Sequence, residues 1–434
     1  MNPRIGIRRE DDTRGERRTP LIPYHARLLR HEGVDVTVQS SPLRAYTDAE
    51  YQNSSAAVHE NLEDCHVVFG IHPPALNEVD GTRAYACMAR VMRRPQALVP
   101  LMKRLLAEGG TLFDIAALCD EHGRSLVGFS RHSGLAGFVD ALWALGRRLK
   151  AEGFVTPLLA LTQARDYEGL DAIRLAMGQV GRRISEQGWP AGVAPLVIGF
   201  TGAGPLAAAT QELLEVLPVR EIAAEELPHI EFDAQLSPNR IYKVVFETHH
   251  LVQRDDGSGV VESELWRYPD RFLPQLQRFL PFIDVLVHAA PWDATLPPLI
   301  SRDDLRGAWT SPRRPKLIVV CDVTRDDGGS FSPLFPLTTP EHSTYIYDPV
   351  SGGIEEGLSG KGPLILALEH PSNEIARDAS AEFGQRLLPF ASAITWGVLG
   401  RRLDLEKLPA TVRTAVVLHR GEIQPAFAAL SAYL

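Results

Sequence analysis

The sequence predicts an α/β protein built on parallel sheets. Apolar, strand-like stretches alternate along the chain with amphipathic stretches of helical periodicity, as they do in βαβ units. The alternation resumes near Pro195 with an apolar strand, a glycine turn and a helix, which indicates a second α/β unit. The 434 residues allow two or three domains with buried cores.

The first α/β unit is predicted from a helix and several strands. Residues 19–33 form a helical pattern with proline near its start and glycine after its end. Alternating apolar and polar residues predict a half-buried strand over 34–39, whereas a continuous apolar run predicts a buried strand before Pro73. The predicted strands are in RIGIRRE (4–10), VDVTVQ (34–39), CHVVFGIHPP (65–74) and TLFDIAAL (111–118).

The second α/β unit follows a long helix. The stretch GLAGFVDALWALGRRLKAEG (134–153) has apolar residues at helical spacing and is suited to bridging two domains. A polar glycine turn, RDDGGSFSP (325–333), follows the last strand of the unit. The strands of this unit are predicted in APLVIGF (194–200), KVVFETHH (243–250), VLVHAAPW (285–292) and KLIVVCDV (316–323).

Composition excludes several classes of protein. The net charge of −9 argues against a nucleic-acid partner, because phosphate binding needs clustered surplus cations. No apolar run is long enough to span a membrane, and the first residues lack the apolar core of a secretory signal. The cysteines show no CxxC spacing, so reduced thiols and a cytoplasmic location are predicted. The cysteines are Cys65, Cys87, Cys119 and Cys321.

The glycine turn of the second unit has the G-x-G-x-x-A pattern of a dinucleotide-binding site. Gly202 permits a tight turn, Gly204 has no side chain to block a diphosphate, and Ala207 allows close packing of helix on strand. The following helix N-terminus offers N–H groups and partial positive charge to phosphates. The candidate cofactor-binding residues of the turn are Gly202, Ala203, Gly204, Pro205 and Leu206.

The choice between NAD and NADP stays open at this stage. Glu221 lies near the spacing at which an acidic residue accepts a hydrogen bond from the ribose 2′-hydroxyl of NAD. Arg220 beside it would instead suit the 2′-phosphate of NADP. The predicted cofactor is therefore NAD or NADP.

Several longer segments form a recognisable set: GIRREDDTRGERRTPLIPYHARLL, GRSLVGFSRHSGLAGFVDALWALGRRL, ETHHLVQRDDG, YPDRF and CDVTRDDGGSF. Their ERRTP and CDV…DDGGS motifs are specific in combination. Together the segments resemble one family, the lysine–2-oxoglutarate reductases, which are the saccharopine-forming relatives of alanine dehydrogenase and of the transhydrogenase N-terminal region. The resemblance extends in order over roughly residues 4–430.

The resemblance implies two Rossmann-like domains with a cleft between them. A substrate domain would comprise residues 1–135 and 340–434, and a cofactor domain of residues 136–339 would be inserted in it. The implied reaction is the reductive condensation of an amino acid with a keto acid, so the implied partners are small molecules. The sequence leaves the oligomeric state open, a homo-oligomer included.

The resemblance also implies roles for individual residues. Arg18 matches the arginine that binds a substrate carboxylate, for which a planar guanidinium is suited. Asp326 matches an aspartate near the nicotinamide, and Asp322 of the same stretch is a candidate cofactor-binding residue. The alternatives are a surface charge for Arg18 and a turn-capping role for Asp326.

The proton-moving positions depart from the family. Its lysine, histidine and glutamate are replaced here by His72, Arg90 and Ala116. An imidazole titrates near neutrality and can still act as acid or base, whereas a guanidinium can only bind or stabilise an anion. Two hypotheses follow: an oxidoreductase with His72 and Arg90 in a rebuilt site, or a dinucleotide-binding protein that is a non-redox catalyst or a regulator.

Histidines elsewhere raise the question of a metal. His249 and His250 are adjacent, and Cys119 lies close to Glu121 and His122. Neither group has the spacing of a zinc site such as H-E-x-x-H or paired CxxC. No metal is therefore predicted.

Overall fold

The chain divides into two compact units. A computed structural model describes residues 2–10, 15–233, 235–292, 295–312, 315–324, 335–339, 342–399 and 402–434. The first unit comprises residues 1–129 and 376–434, and the second comprises residues 130–375.

The helices and strands have the following bounds. Up to residue 129 the elements are β1 (Arg4–Ile7), α1 (Pro23–His31), β2 (Asp35–Gln39), α2 (Asp48–Asn53), β3 (Ala57–His59), β4 (Val67–Phe69), β5 (Ala84–Cys87), α3 (Pro95–Glu108) and β6 (Thr111–Asp114). The second unit has α4 (Ser130–Ala151), α5 (Leu170–Gln187), β7 (Leu196–Thr201), α6 (Pro205–Glu212), β8 (Val219–Glu221), β9 (Ile241–Phe246), α7 (Thr248–Leu251), β10 (Val252–Arg254), α8 (Glu262–Arg267), β11 (Phe272–Pro274), β12 (Val285–His288), α9 (Arg302–Thr310), β13 (Val319–Asp322), β14 (Tyr345–Tyr347), β15 (Ile354–Glu355) and β16 (Leu364–Leu366). The C-terminal part has α10 (Ala376–Gly397), β17 (Val398–Leu399), β18 (Arg402–Leu403), α11 (Ala410–Arg413), β19 (Val416–His419) and β20 (Glu422–Ile423).

The sheet of the first unit is doubly wound. Its order is β20-β19-β6-β5-β4-β1-β2-β3, and the strands from β6 to β3 pair in parallel. The chain builds β2 and β3 on one side of β1 and then β4 to β6 on the other. The direction of winding therefore reverses between β1 and β4, and ligands bind beyond the carboxyl ends of the strands at such a switch point.

Burial in this sheet follows the sequence patterns. All residues of β4 are buried, as the continuous apolar run predicts, and the alternating stretch forms the half-buried β2. The predicted first helix begins only at Pro23, because the preceding residues form a buried turn in which the Thr19 N–H donates to Ser380 Oγ at 2.9 Å.

The sheet of the second unit has the order β15-β14-β16-β13-β12-β7-β9-β8. Its strands from β16 to β8 are parallel, whereas β14 and β15 are antiparallel additions. Because β14, β15 and β16 belong to this sheet, the second unit runs to residue 375 rather than to the boundary at 339 drawn from the sequence. Both sheets agree with the predicted α/β class.

One helix carries a close-packed small-residue face in the second unit. A Cβ atom at Gly134 of α4 would lie 2.7 Å from Ala209 Cβ of α6. A Cβ at Gly137 would lie 2.2 Å from Val323 Cγ1. Since such distances are far below van der Waals contact, both positions require glycine for the helix to pack against α6 and the end of β13.

The same helix buries a carboxyl group. Asp140 is fully buried, and its Oδ1 accepts a hydrogen bond of 2.7 Å from the Ala164 N–H. Burial, with a smaller contribution from the negative charge of Glu374, raises the pKa of Asp140 to about 8. The folded protein therefore keeps a proton here at neutral pH that the unfolded chain loses.

The unfolding free energy is expected to fall as the pH rises from about 4 to about 8 because of Asp140. The folded-state pKa is raised, so the unfolded state binds fewer protons throughout this range. Denaturant titrations at several pH values give the unfolding free energy as a function of pH. Its decrease with pH should be smaller in Asp140→Asn than in wild type, by at most ~1.4 kcal/mol per pH unit. The exposed Glu186→Gln is the control, and equal slopes for wild type and Asp140→Asn would contradict the expectation.

The four cysteines are free, and three of them are buried. Burial raises the pKa of the Cys87 and Cys321 thiols, which keeps them protonated and unreactive. Within the described ranges, no helix combines the length and the apolar character needed to cross a bilayer.

Candidate functional site

The glycine turn lies at the carboxyl end of β7. Gly202 has φ +91° and donates its N–H to the Phe246 carbonyl at 3.3 Å. A Cβ here would lie 2.7 Å from Ala290 Cα. Both the left-handed backbone and the contact with a neighbouring backbone therefore restrict this position to glycine.

Gly204 differs from Gly202 because the space before it is open. It is the N-cap of α6, and a Cβ at this position would meet no atom within 4 Å. Pro205 occupies the first helical position, where no N–H is needed, while the buried Ala207 packs against the core. Ala203 and Pro205 are exposed and Leu206 is half-buried. This turn fits the diphosphate of a dinucleotide, since N–H groups of the first helical turn have no partner within the helix.

A buried threonine fixes the neighbouring strand end against the turn. Thr201 Oγ1 lies 2.7 Å from His288 Nδ1 and accepts the Ala289 N–H at 3.1 Å. The ends of β7 and β12 are thereby held together beside the glycine turn.

Residues at the strand ends form one row across this sheet. Asp322 pairs in register with His288, His288 with Thr201, and Thr201 with Phe246. Asp322 therefore lies at the same edge as the glycine turn, where its Oδ1 accepts hydrogen bonds from Thr324 N and Oγ1 at 2.9 and 2.7 Å. Asp326 lies outside the described residues.

The two candidate ribose-binding residues lie on the edge strand. Strand β8 pairs with β9 and is separated by it from β7. The Glu221 carboxylate lies 2.6 Å from Lys243 Nζ, and Arg220 Nη1 lies 2.9 Å from Asp233 Oδ2. The structure therefore does not bring Glu221 or Arg220 to the strand beside the glycine turn.

A buried carboxylate lies at the switch point of the first unit. Glu16 Oε1 accepts a hydrogen bond of 2.8 Å from Arg18 Nε, and Glu16 Oε2 lies 2.8 Å from His72 Nε2. Arg18 follows β1 and His72 follows β4, the two strands between which the winding reverses. The Arg18 guanidinium also stacks on the Phe129 ring, with Cζ 4.2 Å from the centroid. The candidate residues Arg18 and His72 are thus brought together through Glu16.

The charge of Glu16 is maintained by its partners. Burial tends to raise the pKa of Glu16, but the positive charge of Arg18 and hydrogen bonds from Arg18 and His72 outweigh it and hold this pKa well below its usual range. The carboxylate is therefore ionised at neutral pH. An ionised carboxylate only accepts hydrogen bonds, so it keeps a proton on His72 Nε2 and fixes the orientation of the ring.

A second ion pair connects the same two strand ends. Glu10 Oε1 accepts the Ile71 N–H at 2.6 Å, and Glu10 Oε2 accepts the His72 N–H at 3.1 Å. Arg8 Nη1 lies 2.9 Å from Glu10 Oε2 and donates to the His72 carbonyl at 3.2 Å. The backbone of His72 is therefore positioned on both sides by buried charged groups.

The other two proton-moving positions lie at the same edge of the sheet. Arg90 follows β5 and Ala116 follows β6, which are the next strands beyond β4. Arg90 is exposed and has φ +49°, a conformation that is rare for a residue other than glycine. The buried Asp114 carboxylate fixes both segments by accepting the Val91 and Ala116 N–H groups at 2.9 and 3.0 Å.

Among the residues that the structure describes, Glu225, His249 and His250 form a cluster whose ligand atoms are close enough together for a metal. His250 Nδ1 accepts the Glu247 N–H at 3.0 Å, so the proton of the neutral ring is on Nε2. That Nε2 lies 2.9 Å from Glu225 and donates to it. Because a protonated nitrogen has no lone pair for a metal, His250 is a structural hydrogen-bonding residue in this arrangement.

Sequence reasoning did not assign roles to Glu10, Glu16 and Thr201. Glu16 is the first residue of the ERRTP motif, and Glu10 ends the RIGIRRE stretch. A charged residue soon after a buried strand is a usable signal for Glu10, since that edge of a parallel sheet carries ligand sites, whereas Glu16 lies too far beyond β1 to give this signal. Thr201 gives no such signal, because a threonine inside an apolar strand is ordinary.

Comparisons with known proteins agree with the resemblance predicted from the sequence. Residues 6–136 match the family model described as alanine dehydrogenase/PNT, N-terminal domain. Over 96% of its length the chain is 31% identical to alpha-aminoadipic semialdehyde synthase of Arabidopsis thaliana and 27% identical to the mitochondrial alpha-aminoadipic semialdehyde synthase of Rattus norvegicus. It spans 40% and 46% of the lengths of these two relatives.

A shorter relative matches nearly end to end. The NAD(+), L-lysine-forming saccharopine dehydrogenase of Neurospora crassa is 23% identical over 90% of this chain and 91% of that protein. The predicted resemblance to the saccharopine-forming reductases and to the alanine dehydrogenase and transhydrogenase group is confirmed. The prediction of a nicotinamide dinucleotide agrees with the NAD(+) in the name of this relative.

Solved structures share the fold. An L-alanine dehydrogenase superposes with a TM-score of 0.61 at 15% identity, covering 99% of each chain. A transhydrogenase from Sinorhizobium meliloti superposes with a TM-score of 0.56 at 16% identity, covering 98% of this chain and 100% of the other. The prediction of two Rossmann-like domains is thereby confirmed.

Proposed function

We propose that this chain is an NAD(P)-dependent oxidoreductase acting on the C–N bonds of amino acids. The reaction class is the reductive condensation of an amino acid with a keto acid, giving a saccharopine-type product. The observation that carries the proposal is the glycine turn at the end of β7, where the space before Gly204 is open and the backbone at Gly202 is fixed. The cleft expected between the domains stays a prediction.

The second unit supplies the residues for the cofactor. The turn from Gly202 to Leu206 would bind the diphosphate through backbone N–H groups at the start of α6. Asp322 lies at the same edge of the sheet as the glycine turn, and we assign it to binding the nicotinamide half of the dinucleotide. We assign Asp326 to the same half. When bound, the dinucleotide supplies or accepts a hydride.

The first unit supplies the proton-moving group. The imidazole of His72 is held by Glu16, whose ionised carboxylate keeps a proton on Nε2 and fixes the orientation of the ring. The side chain of His72 is 15% exposed, so a substrate can reach it. We assign His72 the transfer of protons during imine formation.

Arginines would bind the carboxylates of the substrates. Arg90 is exposed at the end of β5 and cannot lose its proton, so we assign it to a substrate carboxylate or a developing negative charge. Arg18 is 4% exposed, and two nitrogens of its guanidinium donate hydrogen bonds to Glu16. Its primary role in this proposal is to hold Glu16, and its direct contact with a substrate carboxylate stays a prediction.

A second function is favoured by one observation. The position that follows β6, where the family has a glutamate, is occupied by Ala116, which can neither move a proton nor bind a cation. A protein that binds the dinucleotide without performing the parental reaction would tolerate this replacement. Such a protein would be a non-redox, NAD-assisted catalyst or a regulator.

Turnover assays distinguish the two functions. Purified protein is mixed with NADH or NADPH and with lysine plus 2-oxoglutarate, and then with other amine and keto-acid pairs. Loss of reduced nicotinamide absorbance is expected with at least one pair, and His72→Ala should lower that rate by about 100-fold because general acid–base catalysis is removed. Dinucleotide binding without oxidation by any pair would support the second function.

A further inference from the structure

We infer that Glu247 selects NAD over NADP by accepting a hydrogen bond from the adenosine ribose 2′-hydroxyl. The inference rests on the proposed function, because it assumes a dinucleotide at the glycine turn. It replaces the earlier candidates Glu221 and Arg220 by a residue that the strand order places beside the turn.

The strand that carries Glu247 lies next to the glycine turn. Strand β9 pairs with β7 along its whole length, with Thr201 opposite Phe246 at the carboxyl ends. Gly202 and Glu247 are the residues that directly follow this pair, and the Gly202 N–H donates to the Phe246 carbonyl. Neighbouring strands are about 4.8 Å apart, so the two backbones leave the sheet side by side.

This position corresponds to that of the ribose reader in dinucleotide-binding folds. There the acidic residue comes at the end of the strand that lies beside the glycine-turn strand, on the side away from the switch point. In this sheet β12 lies on the switch-point side of β7, and β9 lies on the other side. The ribose reader is therefore expected at the carboxyl end of β9, which is the neighbour of β7 in the sheet. It is not expected on β8, although β8 is the next strand along the chain after β7.

The backbone of Glu247 is fixed while its side chain reaches solvent. Its N–H donates to Nδ1 of the buried His250 at 3.0 Å. Its side chain is 68% exposed, with Oε2 3.4 Å from His249 Nδ1. A carboxylate held in this way is accessible to a ligand on the turn and keeps lone pairs for hydroxyl donors.

Glu221 and Arg220 lie on the edge strand β8, and each forms an ion pair there. Glu221 is paired with Lys243, and Arg220 is paired with Asp233. Strand β9 stands between them and the glycine turn, so a ribose at the turn would lie about two strand spacings, roughly 10 Å, from β8. Neither residue is placed to distinguish the two cofactors.

The chemistry of Glu247 discriminates between the cofactors. A carboxylate accepts hydrogen bonds from the ribose hydroxyls of NAD. It repels the 2′-phosphate of NADP, which carries negative charge itself. The hydrogen bond gained with NAD and the repulsion of NADP act in the same direction, so the dissociation constant of NADH should be lower than that of NADPH by about tenfold or more.

The test measures dissociation constants rather than activity. NADH and NADPH are titrated by calorimetry into the wild type, Glu247→Gln, Glu247→Arg and the control Glu221→Gln, with circular dichroism and thermal melts to verify folding. Wild type should prefer NADH, Glu247→Gln should lose most of this preference, and Glu247→Arg should favour NADPH. Glu221→Gln should bind as wild type does, because its carboxylate pairs with Lys243 instead.

Two kinds of result would overturn the inference. If wild type binds both dinucleotides equally or prefers NADPH, Glu247 does not select NAD, yet the glycine turn remains a cofactor site. The same conclusion follows if Glu221→Gln changes the preference and Glu247→Gln does not. If neither dinucleotide binds to folded wild type, the proposed function fails and the inference fails with it.

Discussion

Gly204→Val is expected to abolish dinucleotide binding and to leave the fold intact. The backbone of Gly204 is extended, with φ −80° and ψ −178°, so valine can adopt it without strain. The new side chain would point into the open space before the turn and exclude the diphosphate. Loss of two hydrogen bonds to charged phosphates, each about 1.5–3 kcal/mol, raises the dissociation constant by roughly 100-fold or more.

Calorimetric titration of NADH and NADPH measures this effect, and a thermal melt establishes that the variant is folded. Gly202→Ala is a useful comparison with Gly204→Val. The alanine Cβ would collide with the backbone of Ala290, and the backbone at residue 202 has a positive φ that alanine rarely adopts. That variant should lose stability as well as binding. Wild-type affinity in folded Gly204→Val would show that no diphosphate binds at this turn.

Arg18→Met is expected to lower the unfolding free energy by about 3–5 kcal/mol. The side chain of Glu16 is only 1% exposed, and its charge depends on the guanidinium of Arg18. Methionine keeps much of the packing volume but leaves a buried carboxylate without its cation. Denaturant titration at neutral pH measures the loss.

Two matched variants test the cause of that loss. Arg17→Met removes an exposed arginine one position away and should change the unfolding free energy by about 0.5 kcal/mol or less. Combining Arg18→Met with Glu16→Gln should recover part of the lost stability, because the buried charge is then absent. Additive effects of the two substitutions would contradict a direct interaction.

The same ion pair predicts the response to acid. The folded-state pKa of Glu16 is depressed, so its contribution to stability is full above the unfolded-state value near 4.5 and is lost as the pH falls through the folded-state value. Wild type should therefore lose stability faster below about pH 4.5 than Glu16→Gln does. Parallel acid titrations of the two proteins, followed by circular dichroism, measure the difference.

Local patterns sufficed to predict the glycine turn and the α/β class. The roles of Gly202 and Gly204 follow from the few residues around them, since a tight turn and a helix N-terminus are local features. The alternation of strands and helices is also read within short windows. These features were therefore predictable without knowledge of tertiary contacts.

The ribose-binding candidates required information that spacing does not contain. Glu221 and Arg220 are candidates because of their spacing after Gly202, and this spacing rule holds where the second strand of the unit lies beside the first. In the structure β9 takes that place and β8 moves to the edge. Strand order depends on which strands bury their faces together, so a residue count after Gly202 could not identify Glu247.

The pairing of Glu16 with His72 was also beyond local reasoning. The two residues are separated by 56 positions, and they meet because β1 and β4 are neighbours at the switch point. The motif around Glu16 was recognised, but the buried state of its carboxylate is a tertiary property. The sequence alone therefore predicts a substrate-binding role for Arg18, and it does not reveal that the guanidinium pairs with a buried carboxylate.

The proton retained by Asp140 has a thermochemical consequence. Because the folded-state pKa is about 8, unfolding near neutrality releases this proton to the buffer. The heat absorbed in scanning calorimetry then includes the heat of protonating that buffer. Melts recorded at one pH in phosphate and in Tris should yield different apparent enthalpies, and the Asp140→Asn variant should narrow that gap.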